Sequence, residues 1–542
     1  MKTLTITLYK FSHNCLKWLT LCLTLFLFAG GALMTCYATD MVSQEVLTSY
    51  DKLLVTLPLS ALLLLVFGIL LYLLRRNFSL YKPVLLGIVI FWTLLFGIVL
   101  VLFSKTVPAA DAYSVYAIAE ALALGDTSVI HHTDSYLSYY PQQVGLVAFF
   151  ELLIRIWNLF AIDMPAYHFI KGIYVLILCA AIFFQYKSVH LLWKNDSVDC
   201  IYLLLAGSNL PLMMYASFVY GEIPSFAAFS VGLYYLLCLF EQLKVHSTPA
   251  TRKKPCLKLY FNIGATIIFL TLSVMLRKNA LILIIATTLV LFLEWLKTRH
   301  TTLLITALLC VLCAISVLPL TQKYYELRSH NTLSNGVTAT SYLAMGMQES
   351  SRGNGWYNGF NFNTFQETGM NQELTNEISQ KAIEERLSYF QANPDYAVSF
   401  YLGKHLSQWA DGTYASRQAT LATFGGRHEF FVSLYEGELS YLYIAYCNIY
   451  QNILYFGSFI FCVKKSFPFS KRKKETGNTT FNFPEYLGLI GVIGGFLFHI
   501  IWEANSRYIF VYGLLLMPYA AKGIAIIFQG LQSLKARESL PR

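Results

Sequence analysis

Apolar runs of roughly 20 residues recur along most of this chain and are separated by short polar stretches. Each run is long enough to form a helix that crosses a bilayer, and about twelve such helices are predicted. One polar interruption is long and extends from Thr321 to about Ser440. The predicted spans lie near residues 17–36, 53–74, 83–104, 167–186, 198–216, 224–242, 259–276, 280–296, 301–319, 441–463, 484–501 and 508–528.

The apolar run at 140–160 is ambiguous, because it is long enough to span but carries Glu151 and Arg155 near its middle. Lys and Arg are enriched in cytoplasmic loops, so the basic clusters decide its placement. A helix that lies along the outer face, rather than a span, keeps every basic cluster and both termini in the cytoplasm. These clusters lie at 187–194, 252–254 and 464–474.

The same pattern divides the chain into four parts. Two accessory spans occupy 1–82, and a transmembrane core follows at 83–320, with its first outer loop at 105–166. Residues 321–440 form an extracytoplasmic loop domain, and 441–542 hold the last spans and a cytoplasmic tail. The predicted fold class is an all-α polytopic membrane protein with juxtamembrane helices in the first outer loop and a mostly helical loop domain.

Within the loop domain, residues 371–392 have the apolar spacing of a helix. That helix ends at Asn393 and Pro394, and Pro394 suits the first position of a second helix, with Asn393 as its cap. Before them, the stretch SRGNGWYNGFN at 351–361 is rich in Gly, Asn and aromatic residues and is predicted to be an ordered loop.

Composition supports a membrane protein and excludes several other classes. Mean hydropathy is +0.52, and only 13% of the residues are charged. The net charge of +10 is distributed between the spans rather than collected on one soluble domain, so nucleic acid is not a predicted partner. The eleven cysteines lie in or near apolar segments, which excludes a disulfide scaffold and gives no metal site.

Charged residues stand beside the outer ends of several predicted spans. Asp111 and Glu222 open the stretches that follow outward-going spans, and Arg277, Lys278 and Arg507 occupy two further outer loops. Such residues are often interfacial anchors, a structural reading that is strongest for the basic pair. An acid there can also take a proton from an incoming hydroxyl while cations stabilise a departing phosphate, which is the chemistry of group transfer from a lipid phosphate.

Several motifs carry a family resemblance. Three features resemble the GT-C superfamily of polyprenyl-phosphate-sugar glycosyltransferases. They are a span that ends in an acidic first outer loop, a surface helix that opens with Tyr-Pro-Gln-Gln at 140–143, and the VYGEIPSF loop two spans later. The segments GWYNGFN, KHLSQWADGTYAS and FHIIWEANSRYIFVY are similar to Gram-positive members that act on envelope glycans. The chain is most similar to the protein mannosyltransferase and aminoarabinose-transferase kind, and the resemblance covers most of residues 83–528.

The resemblance implies an inverting enzyme whose donor is a sugar on undecaprenyl phosphate, bound at the outer leaflet. Asp111 matches the acid that activates or orients the acceptor hydroxyl, and Glu222 matches a supporting acid. Asp111 is followed by Ala112 where several members carry a second acid, which weakens the case for a bridging metal. No cofactor is predicted, and a divalent cation is the alternative that the sequence leaves open.

The basic residues take the phosphate in this interpretation. Arg277 and Lys278 would grip the donor phosphate, Arg507 is a second candidate for that role, and Glu503 would hold Arg507 in place.

The remaining candidates are contacts to the sugar or the acceptor. They are Tyr140, Gln142, Lys404, Trp409 and Asp411, and the last three equally suit a packing face of the loop domain. Trp356, Tyr357 and Asn361 are candidates for a lid over the site, from the composition of their loop.

The sequence thus predicts a glycosyltransferase of the cytoplasmic membrane, active on its outer side. Its expected partners are the bilayer, a polyprenyl-phosphate-linked sugar and an acceptor, either a wall polysaccharide, a teichoic acid, a glycolipid or a protein. The rival hypothesis is a transporter or flippase of a lipid-linked glycan, which would place ionisable groups and broken spans near the middle of the membrane. A scaffold without catalysis would leave the outward acids unexplained.

Overall fold

The computed structural model describes residues 2–38, 46–50, 53–74, 77–133, 135–246, 257–467 and 482–538. The basic clusters at 252–254 and 468–474 lie outside the described residues. Regular structure in the described part is helical apart from a short antiparallel hairpin, formed by β1 (Met34–Ala38) and β2 (Val46–Tyr50). The predicted all-α polytopic membrane fold is therefore confirmed.

The amino-terminal part contains three long apolar helices and three short ones. The first is longer than predicted and begins near the start of the chain. The helices are α1 (Lys2–Leu33), α2 (Leu53–Leu74), α3 (Phe78–Phe103), α4 (Asp111–Ala123), α5 (Tyr136–Tyr139) and α6 (Val144–Asn158).

The next part contains five more candidate spans and a bent pair of short helices. The helices are α7 (Tyr167–Trp193), α8 (Asp196–Ser208), α9 (Leu210–Met214), α10 (Glu222–His246), α11 (Leu257–Leu276), α12 (Leu281–Thr298) and α13 (Thr301–Ser329). The predicted span at 198–216 is broken, because Asn209 caps the backbone N–H of Leu212 and Pro211 starts a new helix. The two pieces meet at an angle of 56°.

The loop domain is helical, as the spacing predicts. Its helices are α14 (Ala339–Gly346), α15 (Phe360–Glu367), α16 (Gln372–Ala392), α17 (Pro394–Trp409), α18 (Ser416–Ala419) and α19 (Glu429–Glu436). Pro394 begins α17 and Asn393 occupies the cap position, as predicted. The Asn393 side chain forms no capping hydrogen bond, because its amide donates back to the carbonyl of Tyr389.

The chain ends with α20 (Glu438–Ser466), α21 (Leu487–Ile501) and α22 (Ser506–Glu538). Ten helices in the described residues are long and apolar enough to cross a membrane, or eleven if the bent pair is one span. The count is lower than predicted because α20 is less apolar: Asn448, Gln451 and Asn452 are buried along it, and the Tyr450 hydroxyl donates to the carbonyl of Leu205.

The charged residues of the ambiguous run at 140–160 hold α6 against neighbouring helices. Glu151 is buried, and it accepts hydrogen bonds from the Tyr325 hydroxyl at 2.5 Å and from Arg328 at 2.6 Å, both near the end of α13. Arg155 and Arg328 also donate to the carbonyl of Leu122 on α4. The pair of charges therefore joins α4, α6 and α13, and this explains why they stand inside an apolar run.

Candidate active site

A cavity of about 600 Å³ lies where the ends of several membrane helices meet the loop domain. Its wall includes Asp111 from the start of α4, and Arg277 and Lys278 from the α11–α12 turn. Glu503 comes from the α21–α22 turn and Arg507 from the first turn of α22. Charges that are far apart in the sequence are thus gathered around one space.

Asp111 is the most accessible acid of this set, with a side chain that is 49% exposed. It is the first residue of α4, where a negative charge is favoured by the helix dipole. The preceding residue, Ala110, has φ +48° and ψ −130°, a conformation that favours glycine. Strain of this kind persists only where the surrounding structure holds it, and it is common at functional sites.

Glu222 lies behind the cavity wall rather than on it, and it is only 2% exposed. Its Oε1 atom is 2.9 Å from Nη2 of Arg277 and 3.6 Å from Nε of Arg507. Glu222 was predicted to support the acceptor or the base, and a position behind the wall does not favour direct contact with the acceptor. A buried carboxylate between two guanidinium groups is suited to hold them, whereas a base must reach an incoming hydroxyl.

The guanidinium groups of Arg277 and Arg507, here called the arginine pair, share two aromatic rings. They lie 5.2 Å and 5.4 Å from the centroid of Tyr220, and 5.9 Å and 5.5 Å from that of Tyr508. Nη2 of Arg507 is also 4.0 Å from Oδ2 of Asp111. The arginine pair therefore forms a fixed cationic patch beside the accessible acid.

Gly221 allows the loop before α10 to approach this patch closely. A Cβ atom at this position would lie 2.5 Å from the carbonyl oxygen of Leu276 and 3.0 Å from the Arg277 side chain. A larger residue would have to displace the turn that carries Arg277.

Three predicted contact residues also line the cavity. Lys278 is exposed, and Tyr140 and Gln142 lie at the start of the surface segment that leads into α6. Burial raises the pKa of the Tyr140 hydroxyl, so it keeps its proton further into the alkaline range than an exposed tyrosine does.

Glu503 lines the cavity and is 7% exposed. It accepts a hydrogen bond from the Tyr508 hydroxyl at 3.3 Å. Among the described residues, the ion pairs of Arg507 within 4.0 Å go to Asp111 and Glu222, so Glu503 acts on Arg507 only through its charge at longer range. Burial raises the pKa of the Glu503 carboxyl to about 7, against the opposing charge of Arg507.

Lys404, Trp409 and Asp411 lie outside the cavity lining and are buried. Lys404 donates to the carbonyls of Gly346 and Ile500, at 2.5 Å and 3.0 Å, and thus joins the loop domain to the end of α21. Asp411 accepts from the backbone N–H groups of Thr413 and Ala415. Their positions favour packing and loop support, and the predicted contacts to substrate are not supported by this geometry.

The loop at 350–361, here called the lid loop, contributes Trp356, Tyr357 and Asn361 to the cavity wall, and also Arg352. Arg352 was not singled out from the sequence. In the sequence, Arg352 is a single arginine within a loop rich in Gly, Asn and aromatic residues. This pattern does not show that its side chain lines a cavity.

A metal site is not found at the cavity in the part of the chain that the structure describes. Among the described residues, the one group of three potential ligands lies away from the cavity and consists of His190, Asp196 and Asp199, near the start of α8. Lys82 already supplies a cation to this group, because its Nζ lies 2.5 Å from Asp196 and 3.3 Å from Asp199.

No protein-family model and no curated protein sequence matches this chain. A similar solved structure is the archaeal oligosaccharyltransferase AglB from Archaeoglobus fulgidus, in complex with an inhibitory peptide and a dolichol-phosphate. The TM-score is 0.44 at 12% sequence identity, and the match covers 86% of this chain and 53% of AglB. This chain thus matches about half the length of AglB, and the interpretation of the cavity rests on its own residues.

Proposed function

We propose that this chain is a membrane glycosyltransferase of the GT-C type, which transfers a sugar from a polyprenyl phosphate to an acceptor outside the cytoplasmic membrane. The observation that carries the proposal is the arrangement of Asp111 and the arginine pair around one cavity. An accessible carboxylate beside two fixed cations suits the transfer of a group from a phosphate to a hydroxyl. The motif resemblance described above supports the same reaction.

In the proposed reaction, the acceptor hydroxyl attacks the anomeric carbon of the donor sugar. The bond from that carbon to the phosphate oxygen breaks, and its electron pair leaves with the polyprenyl phosphate. Asp111 takes the hydroxyl proton. This single displacement inverts the anomeric carbon, and the sugar is joined to the acceptor oxygen.

The arginine pair and Lys278 neutralise the charge that accumulates on the departing phosphate. Glu222 keeps the two guanidinium groups aligned, which lowers the cost of organising them during the reaction. The neutral form of Glu503 donates a hydrogen bond to a substrate oxygen. A cavity of about 600 Å³ is within the usual range for a small-ligand site, so it can hold a sugar and its phosphate while the lipid chain extends into the bilayer.

The experiment uses the purified full chain in lipid nanodiscs. It is supplied with undecaprenyl phosphates that carry radiolabelled glucose, mannose or N-acetylglucosamine, and with an extract of envelope glycans. We expect label to move from at least one lipid to an acceptor, with release of undecaprenyl phosphate. In proteoliposomes, movement of intact labelled lipid between leaflets without cleavage would instead support the flippase.

A further inference from the structure

Arg352 is a second cationic position in the cavity, separate from the arginine pair. It belongs to the lid loop, and its guanidinium lies 5.3 Å from the ring centroid of Tyr357. The arginine pair packs on other rings, those of Tyr220 and Tyr508. The two cationic positions therefore come from different elements and have different aromatic supports.

Arg352 forms no ion pair within 4.0 Å in the part of the chain that the structure describes, and Glu503 acts on it only at longer range. Among the residues that the structure describes, carboxylates within 4.0 Å are found for other arginines, namely Arg155, Arg277, Arg328, Arg386 and Arg507. A guanidinium that stacks on an aromatic face keeps its N–H donors free at the edge. Arg352 can therefore bind an anion with two parallel hydrogen bonds.

The lid loop holds Arg352 in a defined position. The Ser350 hydroxyl accepts from the backbone N–H of Arg352 at 3.1 Å and donates to the carbonyl of Tyr357 at 2.9 Å. The Trp356 indole donates to the Ser407 hydroxyl at 2.8 Å, which ties the loop to α17. A side chain on such a loop loses little freedom when it binds a ligand.

The charges of the cavity exceed what one donor phosphate requires. The wall carries four cations, Arg277, Lys278, Arg352 and Arg507, against Asp111 and Glu503 as acids. Glu222 behind the wall offsets one further charge of the arginine pair. The arginine pair and Lys278 are sufficient for the phosphate of the donor. Arg352 is left for a second anionic group, which the acceptor can supply.

We propose that Arg352 binds an acidic group of the acceptor, and that the acceptor is an anionic glycan carrying phosphodiester or uronate groups. This inference rests on the proposed function for the reaction, but the binding it requires is independent of turnover. In this proposal the lid loop binds the acceptor, and the ends of the membrane helices bind the donor.

The test compares Arg352→Gln with wild type in nanodiscs, using three acceptor probes of similar length. These are a glycerol-phosphate trimer, a trigalacturonate and the neutral trisaccharide maltotriose. Binding is measured without donor by microscale thermophoresis, and transfer is measured with the donor identified above. Lys323→Gln is the matched control, because Lys323 is an exposed cation at the end of α13 and outside the cavity lining.

We expect Arg352→Gln to weaken binding of one anionic probe by at least about tenfold and to raise its KM similarly, with little change for maltotriose. Lys323→Gln should change neither. Preference for the phosphate or the uronate probe identifies the acidic group. Equal losses for charged and neutral probes, or a rise in the donor KM alone, would overturn the proposal. If binding depends on Arg352 but no sugar is transferred, the proposed reaction fails and the anion site stands.

Discussion

The carboxylate of Glu222 is buried, and its Oε1 lies 2.9 Å from Nη2 of Arg277. An acid behind the cavity wall therefore holds in place an arginine that lines the wall. The same oxygen is 3.6 Å from Nε of Arg507. One buried charge thus organises the two residues that we assign to the donor phosphate.

Replacement of Glu222 by Gln tests this arrangement. We expect the donor KM to rise about 10- to 100-fold, since a charge-assisted interaction contributes about 1.5–3 kcal/mol. The acceptor KM should change little. A direct role of Glu222 as the base would instead lower kcat and leave the donor KM unchanged.

Lys404 distinguishes a packing role from a sugar contact. Its substitution by Gln removes hydrogen bonds to Gly346 and Ile500, so we expect a loss of about 1–3 kcal/mol in the free energy of unfolding. Both KM values should remain near those of the wild type in the fraction that folds. Thermal unfolding and initial rates on the same preparation separate these effects, and an acceptor KM raised at unchanged stability would restore the sugar contact.

Glu503 gives the protein a defined dependence of stability on pH. Because burial raises the pKa of its carboxyl to about 7, the folded state keeps a proton that the unfolded state releases at lower pH. Stability from this group is therefore full at acidic pH and is lost as pH rises through about 7. Four charged or titratable neighbours also shift the pKa of the Glu503 carboxyl, namely Arg507, Asp111, Tyr508 and Arg352.

Replacement of Glu503 by Gln, which resembles the protonated acid, should remove this dependence. At pH 8 we expect the variant to melt at least about 2 °C above the wild type, with a smaller difference at pH 5. Equal melting curves at both pH values would contradict a buried neutral acid.

Ala110 tests the strained backbone that precedes Asp111. Because its φ of +48° favours glycine, Ala110→Gly should raise the free energy of unfolding by about 1 kcal/mol. Ala112→Gly, inside α4, is the matched control and should lower it by a similar amount. Chemical denaturation of both variants makes the comparison, and a loss of stability in Ala110→Gly would show that the turn carries no strain.

Much of the fold follows from local pattern. Apolar length predicts the spans and helical spacing predicts α16, because both depend on residues close in sequence. The broken span at Asn209 was missed although Asn209 and Pro211 form a local helix-start signal, because the apolar length of the segment favoured one continuous span. The polar residues of α20 give a similar lesson, since Asn448 accepts from the backbone N–H of Gly412 and Gln451 donates to the carbonyl of Asp411, both far away in sequence.

The sequence named part of the cavity wall, but it also named Lys404, Trp409 and Asp411, which lie outside that wall, and it did not single out Arg352. Topology placed Asp111, Arg277 and Arg507 on one side of the membrane, and the structure brings them to one cavity. Spacing in sequence could not show that Glu222 pairs with both arginines. It also could not show that Lys404 is buried or that the lid loop turns Arg352 inward, because each depends on long-range contacts.

The most direct test of the account is the rate of sugar transfer by Asp111→Asn, measured with labelled polyprenyl-phosphate sugar beside wild type and Glu503→Gln. Removal of the base should lower kcat at least about 100-fold with little change in the donor KM, while Glu503→Gln keeps most of its activity at neutral pH. Transfer by Asp111→Asn at the wild-type rate would contradict the assignment of Asp111 as the base, and with it the proposed mechanism.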